Sequence, residues 1–494
     1  MSSETAPEQR LHPLSFVFLM LVHLRQYALP LVLGLFVGRR PGNDYDRYAL
    51  VGVAVMALYS LAQYFSFRYR LEADAVVVRS GVFERSLRHI PFARIQNVSL
   101  HQNVLHRLFR VAEVRLESAG SDKPEANMRV LRLRDAQVLE SKIRAGGRGA
   151  RASGATSAVA AGEAPAVHTL LALSVPEVLR LGLISNRGMF IVAGGFAALA
   201  QMGDNLIGRL FAAVGNWLTG HAGDLHFSWL VIGGAALALF LAVLMCLRLL
   251  STAWALLRFY GFRLSESEGR LSMERGLFTR VRATLPAHRI QAWTMHEGVL
   301  HRWFGRRSLR VDSAVVESGL GEKHSLRDLA PIATPAVIDA LVDGLLPQPA
   351  WPLHDWQPLH PNAWRRKFTI PALLLLLVVV ALAIWRSPQA LWLLLALPVL
   401  WWRAHNWAKY SAWAIADGMV AFRGGWLARH WRFAETHKLQ AVEWQQSPFD
   451  RRHGMATLHF DTAGASGMEP ALAIPYLPEA TARRIYEELS LALR

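Results

Sequence analysis

The chain holds 494 residues, 52% of them hydrophobic and only 18% charged, a balance too apolar for a water-soluble protein of this size to bury in its own core. Lys and Arg total 54 against 37 Asp and Glu, so the formal charge of +17 asks for an anionic partner, and the apolar runs described next favour lipid over nucleic acid. The single cysteine, Cys246, lies inside an apolar run, which excludes a disulfide framework and a cysteine-based zinc site.

Apolar stretches then appear in pairs. The first pair is Gln26 to Gly38 with Tyr48 to Phe67, the second Gly188 to Gly203 with Leu225 to Leu247, the third Phe368 to Ile384 with Ser387 to Trp402. A hydrocarbon core of about 30 Å is crossed by roughly 20 apolar residues, so the pattern predicts six spans in three hairpins. Gln26 to Gly38 and Gly188 to Gly203 are short for this, and an apolar or amphipathic segment precedes each, Leu14 to Leu24 and Val178 to Ser185. Either such a segment lies at the interface and leads into the crossing, or Leu14 to Gly38 is one helix whose Arg25 snorkels or faces protein. Basic residues such as Arg68, Arg70, Arg248, Arg258, Arg365, Arg366, Lys367, Arg403 and Lys409 lie at the outer ends of the hairpins, whereas the bends carry few. By the positive-inside rule, both termini and the blocks between hairpins are expected in the cytoplasm, in a multi-pass protein of a bacterial cytoplasmic membrane. No secretory signal is expected, because the first apolar run lacks a basic leader.

A polar block of strand-like alternation follows each hairpin, from Tyr69, Phe262 and Ala414, and the three blocks superimpose as sequence. In each, a glycine (Gly81, Gly276, Gly425) stands 13 residues before a basic residue (Arg94, Arg289, Lys438) that opens a Basic-Ile/Leu-Gln triplet. A second cation (Arg107, Arg302, Arg451) follows after another 13. The glycine marks a turn or bulge where a positive φ costs it nothing. Alternation in Ala75 to Val78, Ile95 to Leu100 and Val111 to Leu116 predicts antiparallel sheet with one buried and one wet face. Helical spacing closes the blocks in Asp135 to Ile143, Pro335 to Leu345 and Pro478 to Leu493.

The quoted pattern, RSGVFERSLRHIPFARIQNV with QNVLHRLF and ERGLFTRVRATLPAHRIQAW with EGVLHRWFG, resembles the bacterial pleckstrin-homology-like membrane proteins of the YdbT type over nearly the whole chain. The lead-ins Leu11 to Pro13 and Leu359 to Pro361 are similar to that family too, whereas the second hairpin has Leu173 to Pro176 instead. The third block departs at Lys438-Leu439 and at Asp450, where the others have His106 and His301. The resemblance implies a split sheet barrel capped by a helix in each unit. It also implies work beside a smaller homologue with one such domain, in defence against membrane-active compounds. The expected fold is therefore an α+β membrane protein of three units, each a transmembrane helical hairpin followed by a PH-like antiparallel β domain with a C-terminal helix. The expected boundaries are hairpins at 11–67, 168–250 and 362–404, PH-like domains at 68–145, 251–345 and 405–494, a flexible Gly/Ala/Ser-rich linker at 146–167, and an extended Pro/Trp connector at the interface over 346–361.

No phosphate loop, HExxH, GxSxG or dinucleotide fingerprint is present, so neither catalysis nor a cofactor is expected. His101 and His106 lack a recurring carboxylate partner and are expected as surface or interfacial residues rather than metal ligands. The repeated cations are the candidate site: Arg94 with Arg107, Arg289 with Arg302, and Lys438 with Arg451 would each offer a basic pair to an anionic lipid or a partner. The competing reading is structural, since an arginine beside a turn often satisfies backbone carbonyls. Small residues such as Gly194, Gly195, Gly233 and Gly234 favour helix packing. The four strongest spans place no ionisable group at the bilayer midplane, which argues against transport. The expected function is a non-enzymatic membrane scaffold, with membrane lipid, the smaller homologue and further copies of the chain as candidate partners and no nucleic acid. The alternative is a transporter or lipid-handling protein.

Overall fold

The structure is a computed structural model that describes residues 8–12, 15–16, 20, 45–72, 74–81, 84–92, 95–118, 126–136, 138–139, 143, 168–185, 194, 229–313, 327–346, 351–384, 388–463 and 471–493. Gln26 to Gly38, all of Gly188 to Gly203 but Gly194, and the linker 146–167 lie outside these residues.

Three modules share one plan. In the first, β1 (Gln9–Arg10), β2 (Arg68–Leu71), β3 (Ala75–Ser80) and β4 (Ser86–Pro91) form a four-stranded antiparallel sheet, and β5 (Ile95–Gln102), β6 (Val111–Ser118) and β7 (Ala126–Arg132) form a three-stranded one. In the second, the four are β8 (His168–Ala172), β9 (Arg263–Ser267), β10 (Arg270–Arg275) and β11 (Arg280–Pro286), and the three are β12 (Ile290–Glu297), β13 (Arg307–Ser313) and β14 (Ala330–Ala333). The third repeats this with β15 (Gln357–Pro358), β16 (Ala412–Ala416), β17 (Met419–Gly424) and β18 (Arg429–Glu435), then β19 (Leu439–Gln445), β20 (Met455–Thr462) and β21 (Leu472–Pro478). Helices Pro335–Leu345 and Glu479–Ala492 close the second and third modules, burying Ile338, Leu341 and Val342 in one and Ala482 and Ile485 in the other.

The repeated motif residues have local reasons. Gly81, Gly276 and Gly425 take φ of +110°, +112° and +95° at the turn before the fourth strand. A Cβ on any of them would fall within 1.9 Å of the carbonyl oxygen of Glu84, Thr279 or Ala428, so only glycine closes this turn. The glutamine of each triplet is the extra residue of a bulge, because register shifts between Ile95 and Asn97, Ile290 and Ala292, and Leu439 and Ala441. Glu268-Gly269 and Asp417-Gly418, all at positive φ, make the tight turns between β9 and β10 and between β16 and β17. One expectation fails at β3, where Ala75, Val76, Val77 and Val78 are all buried; a continuous apolar run is the pattern of a strand covered on both faces.

Two features of the topology were not expected. First, a short strand precedes each hairpin and pairs with the strand that follows it: Gln9 opposite Tyr69, Thr169 opposite Ser265, Gln357 opposite Trp413. The stretch holding each pair of apolar runs is thus an insertion between two hydrogen-bonded strands rather than a leader to the domain. Second, the sheets do not stop at module boundaries. β5 pairs with β11 and β12 with β18, giving seven-stranded sheets ordered β7-β6-β5-β11-β10-β9-β8 and β14-β13-β12-β18-β17-β16-β15.

The described apolar helices are Tyr45–Ser66, Trp229–Phe259, and a third-hairpin pair, Ala363–Ile384 against Ala396–Tyr410. Leu237–Phe259 and Ala363–Ile384 are long and apolar enough to cross a membrane. Leu239, Phe240, Leu241, Leu373, Leu374 and Leu377 point outward from them, an apolar surface suited to lipid. The helix expected to end near Leu247 runs on to Phe259, 31 residues or about 46 Å in all. Its last turns are core, with Ala255 and Phe259 packed among the second module's strands. The final run begins as a 3-10 helix, Pro388–Leu395, before the α-helix restarts at Ala396. Pro398 has no N–H to give the Leu394 carbonyl, so one continuous α-helix would leave that carbonyl unpaired.

Candidate functional site

The candidate cations fall into different environments. Arg94 lies outside the described residues. Arg107, on the short helix Val104–Leu108, donates from Nη1 to the Leu277 carbonyl at 3.0 Å, in the Gly276 turn of the next module. Arg302, on the equivalent helix Val299–Trp303, donates from Nη2 to the Leu427 carbonyl at 3.0 Å, in the Gly425 turn of the third module. Both arginines thus clamp one module to the next through a backbone carbonyl. Arg289 is half-buried on a 3-10 turn and makes no ion pair among the described residues. Lys438, on the matching turn, is paired with Glu435. Arg451 is exposed, on the short helix Pro448–Arg452 of the third module.

The clamps flank strand junctions of common register. Leu100 faces Arg282 and Gln102 faces Arg280 in the first; Met295 faces Trp431 and Glu297 faces Arg429, at the equivalent positions, in the second. At the second junction Arg432 is buried and donates to Asp312 Oδ2 at 2.7 Å and to Thr294 Oγ1 at 2.8 Å. On the other face of the same strand, Phe433 of the third module stacks on Trp293 and Trp351 of the second, with centroids 6.2 and 4.4 Å apart. Trp351 is 8% exposed and donates Nε1–H to Asp339 at 2.8 Å, so this end of the connector is an anchor in the joint core rather than an interfacial strand. Asp312 and Arg432 escaped the sequence reading, and Trp351 was expected at the interface; a charge in phase with the buried positions of a strand, as in Arg432 within HWRFAE, is the signal that marks such a residue.

A second set of contacts roots the hairpins. Glu177, on the lead-in helix Val175–Ile184, accepts from Arg306 Nη2 at 2.7 Å and Nε at 2.9 Å. That bond holds its carboxyl below the usual range. Gly182 lets this helix approach Thr252 so closely that a Cβ would lie 2.4 Å from the Thr252 Cα. In the third module Arg366 Nε donates to Asp450 Oδ1 at 3.1 Å, while Asp450 also completes a capping box with Ser447. The departure of the third block from His106 and His301 is therefore a hairpin contact.

The histidines are not surface residues as expected. His101 and His106 are 8% and 4% exposed, and His101 stands on β5 opposite Val281 of the next module. Burial, with the Arg115 charge second, lowers the His101 pKa to about 4; burial, with His296 second, does the same for His301. Among the described residues no cluster of three His, Cys, Asp or Glu is placed to hold a metal.

Comparison with known proteins agrees with this architecture. The family model described as the bacterial PH domain matches three times, at residues 20–146, 213–341 and 367–493, once per module. The UPF0699 transmembrane protein YdbT of Bacillus subtilis (strain 168) is 22% identical over 480 residues, covering 93% of this chain and 94% of that protein. No solved structure matches.

Proposed function

The chain belongs to the bacterial PH domain family, as a YdbT-like transmembrane protein with three PH-like modules, and from that premise we propose that it is a non-enzymatic scaffold presenting a continuous β array at the cytoplasmic face of the membrane. The observation that carries this reading is the joining of modules into shared seven-stranded sheets. A transporter needs its spans to move against one another, whereas here the β bodies are welded by strand pairing, a buried ion pair and two arginine clamps. The role is to hold a partner protein against the membrane, the smaller single-module homologue being the first candidate. Affinity purification from native membranes, with identification of co-purifying protein and lipid, tests this. Recovery of a small single-module membrane protein supports the scaffold; solute movement in proteoliposomes holding only this chain overturns it. The proposed orientation is tested by protease added to sealed right-side-out vesicles, which should leave the β modules intact.

A second reading, direct contact with anionic headgroups, is favoured by Arg289, which has no carboxylate partner among the described residues, together with the overall charge of +17.

A further inference from the structure

The two ends of the array are the two halves of an interface that the chain builds twice within itself. Among the described residues β4 pairs only with β3, and β19 only with β20. Their counterparts β11 and β18, and β5 and β12, pair with each other at the internal junctions. We propose that copies of this chain join head to tail, β19 of one adding to β4 of the next in the register of those junctions. The inference rests on the scaffold reading only in taking the strand junction as the unit of assembly.

The repeat fixes what would face what. Counting from the turn glycine, Leu87 takes the place of Trp431 and Arg88 that of Arg432. Counting from the triplet, Trp444 takes the place of Met295 and Glu443 that of Thr294. Just past the bulge Asp461 faces Ala441 as Asp312 faces Ala292. Transfer of the common register therefore sets Leu87 against Trp444 and Arg88 against Glu443, with Asp461 where Asp312 receives Arg432. Leu87 is 71% exposed at an edge, whereas Trp431 in its place at the internal junction is buried. Arg88, Glu443 and Asp461 are exposed too. Arg451 stands where Arg107 and Arg302 clamp the following turn, and the next copy would offer the Gly81 turn to it. Modules one and three keep the same frame, since Gln102 Nε2 donates to the Val111 carbonyl and Gln446 Nε2 to the Met455 carbonyl, each at 3.0 Å.

The occupant follows from this complementarity. A long exposed edge with an apolar residue is a template for another strand. The basic half sits on β4 and the acidic half on β19 with Asp461, so pairing of like edges brings like charges together while unlike edges match. Heterologous contacts of this kind close into rings or extend into arrays.

Cross-linking in native membranes tests the proposal. With Cys246→Ala as background, one tagged copy carries Leu87→Cys and a differently tagged copy carries Trp444→Cys. The expected result is a Leu87–Trp444 cross-link between the two tags, at least tenfold above either same-site product. Arg88→Glu should abolish it, and Glu443→Arg with Asp461→Arg on the partnering copy should restore it. Restoration separates a lost contact from a misfolded variant. Same-site cross-links, capture of a smaller protein at Leu87 in place of a second copy, or no cross-link from variants that melt like the parent would each overturn the proposal. Capture of a smaller protein would overturn self-assembly while supporting the scaffold reading, and the other outcomes leave that reading to its own experiment.

Discussion

Arg432 and Asp312 belong to different modules, yet their side chains meet at 2.7 Å in the interior of the sheet that joins them, both less than 5% exposed. A charge so placed is tolerated because its partner and the Thr294 hydroxyl replace the water it lost.

Removing one member should therefore cost more than removing both. Asp312→Ala leaves a buried guanidinium and is expected to destabilise by about 3–5 kcal/mol, whereas Arg432→Met with Asp312→Leu should cost markedly less. Thermal unfolding of the purified full chain in detergent, followed by near-UV circular dichroism, measures both. Equal losses would refute the account of this pair.

The turn glycines admit no side chain. Gly276→Ala and Gly425→Ala should each destabilise by about 1–3 kcal/mol, because the new Cβ meets a carbonyl oxygen at 1.9 Å and the backbone is left-handed. Gly233→Ala, where nothing lies within 4 Å of the added Cβ, is the control. The same melts report the difference.

Vesicle binding distinguishes the candidate cations from one another. Arg94→Glu with Arg289→Glu should weaken association of the detergent-solubilised chain with anionic liposomes if these residues face headgroups. Arg302→Ala should leave liposome binding unchanged and instead loosen the second junction by about 1 kcal/mol, the usual worth of a hydrogen bond. Flotation and limited proteolysis read the two effects, and unchanged flotation of the double variant retires the headgroup reading.

Acid should weaken the first junction. In the unfolded chain His101 takes up a proton near pH 6.5, but in the fold only near pH 4. Between those values the unfolded state binds more protons, so stability is full above about pH 6.5 and falls as the pH drops toward 4. The loss expected from His101 is roughly 1–3 kcal/mol. His101→Leu should flatten that part of the profile, as measured by midpoint temperature against pH.

Much of this molecule was legible beforehand, for reasons that lie in the residues. The glycine and triplet spacing worked because a left-handed turn and a bulge impose their chemistry at fixed places in every module. Apolar runs announced the helices, and the helical period placed Pro335–Leu345 within a residue. What the chain order hid was pairing at a distance. β1 and β15 are two residues each, too short for any alternation to register, yet they decide that the hairpins are insertions. The clamp partners of Arg107 and Arg302 lie 170 and 125 residues away, and a carbonyl leaves no mark on a sequence. Basic residues were thus recognised as important while their recipients were not.

The placement of each hairpin between two paired strands constrains how the protein can be made. During synthesis β1 emerges well before its mate β2, so the first sheet cannot zip until the residues between them have left the ribosome. β5 must then wait for β11, which follows the second hairpin, and β12 for β18, which follows the third. Completion of each junction is in this way tied to the module that comes next in the chain.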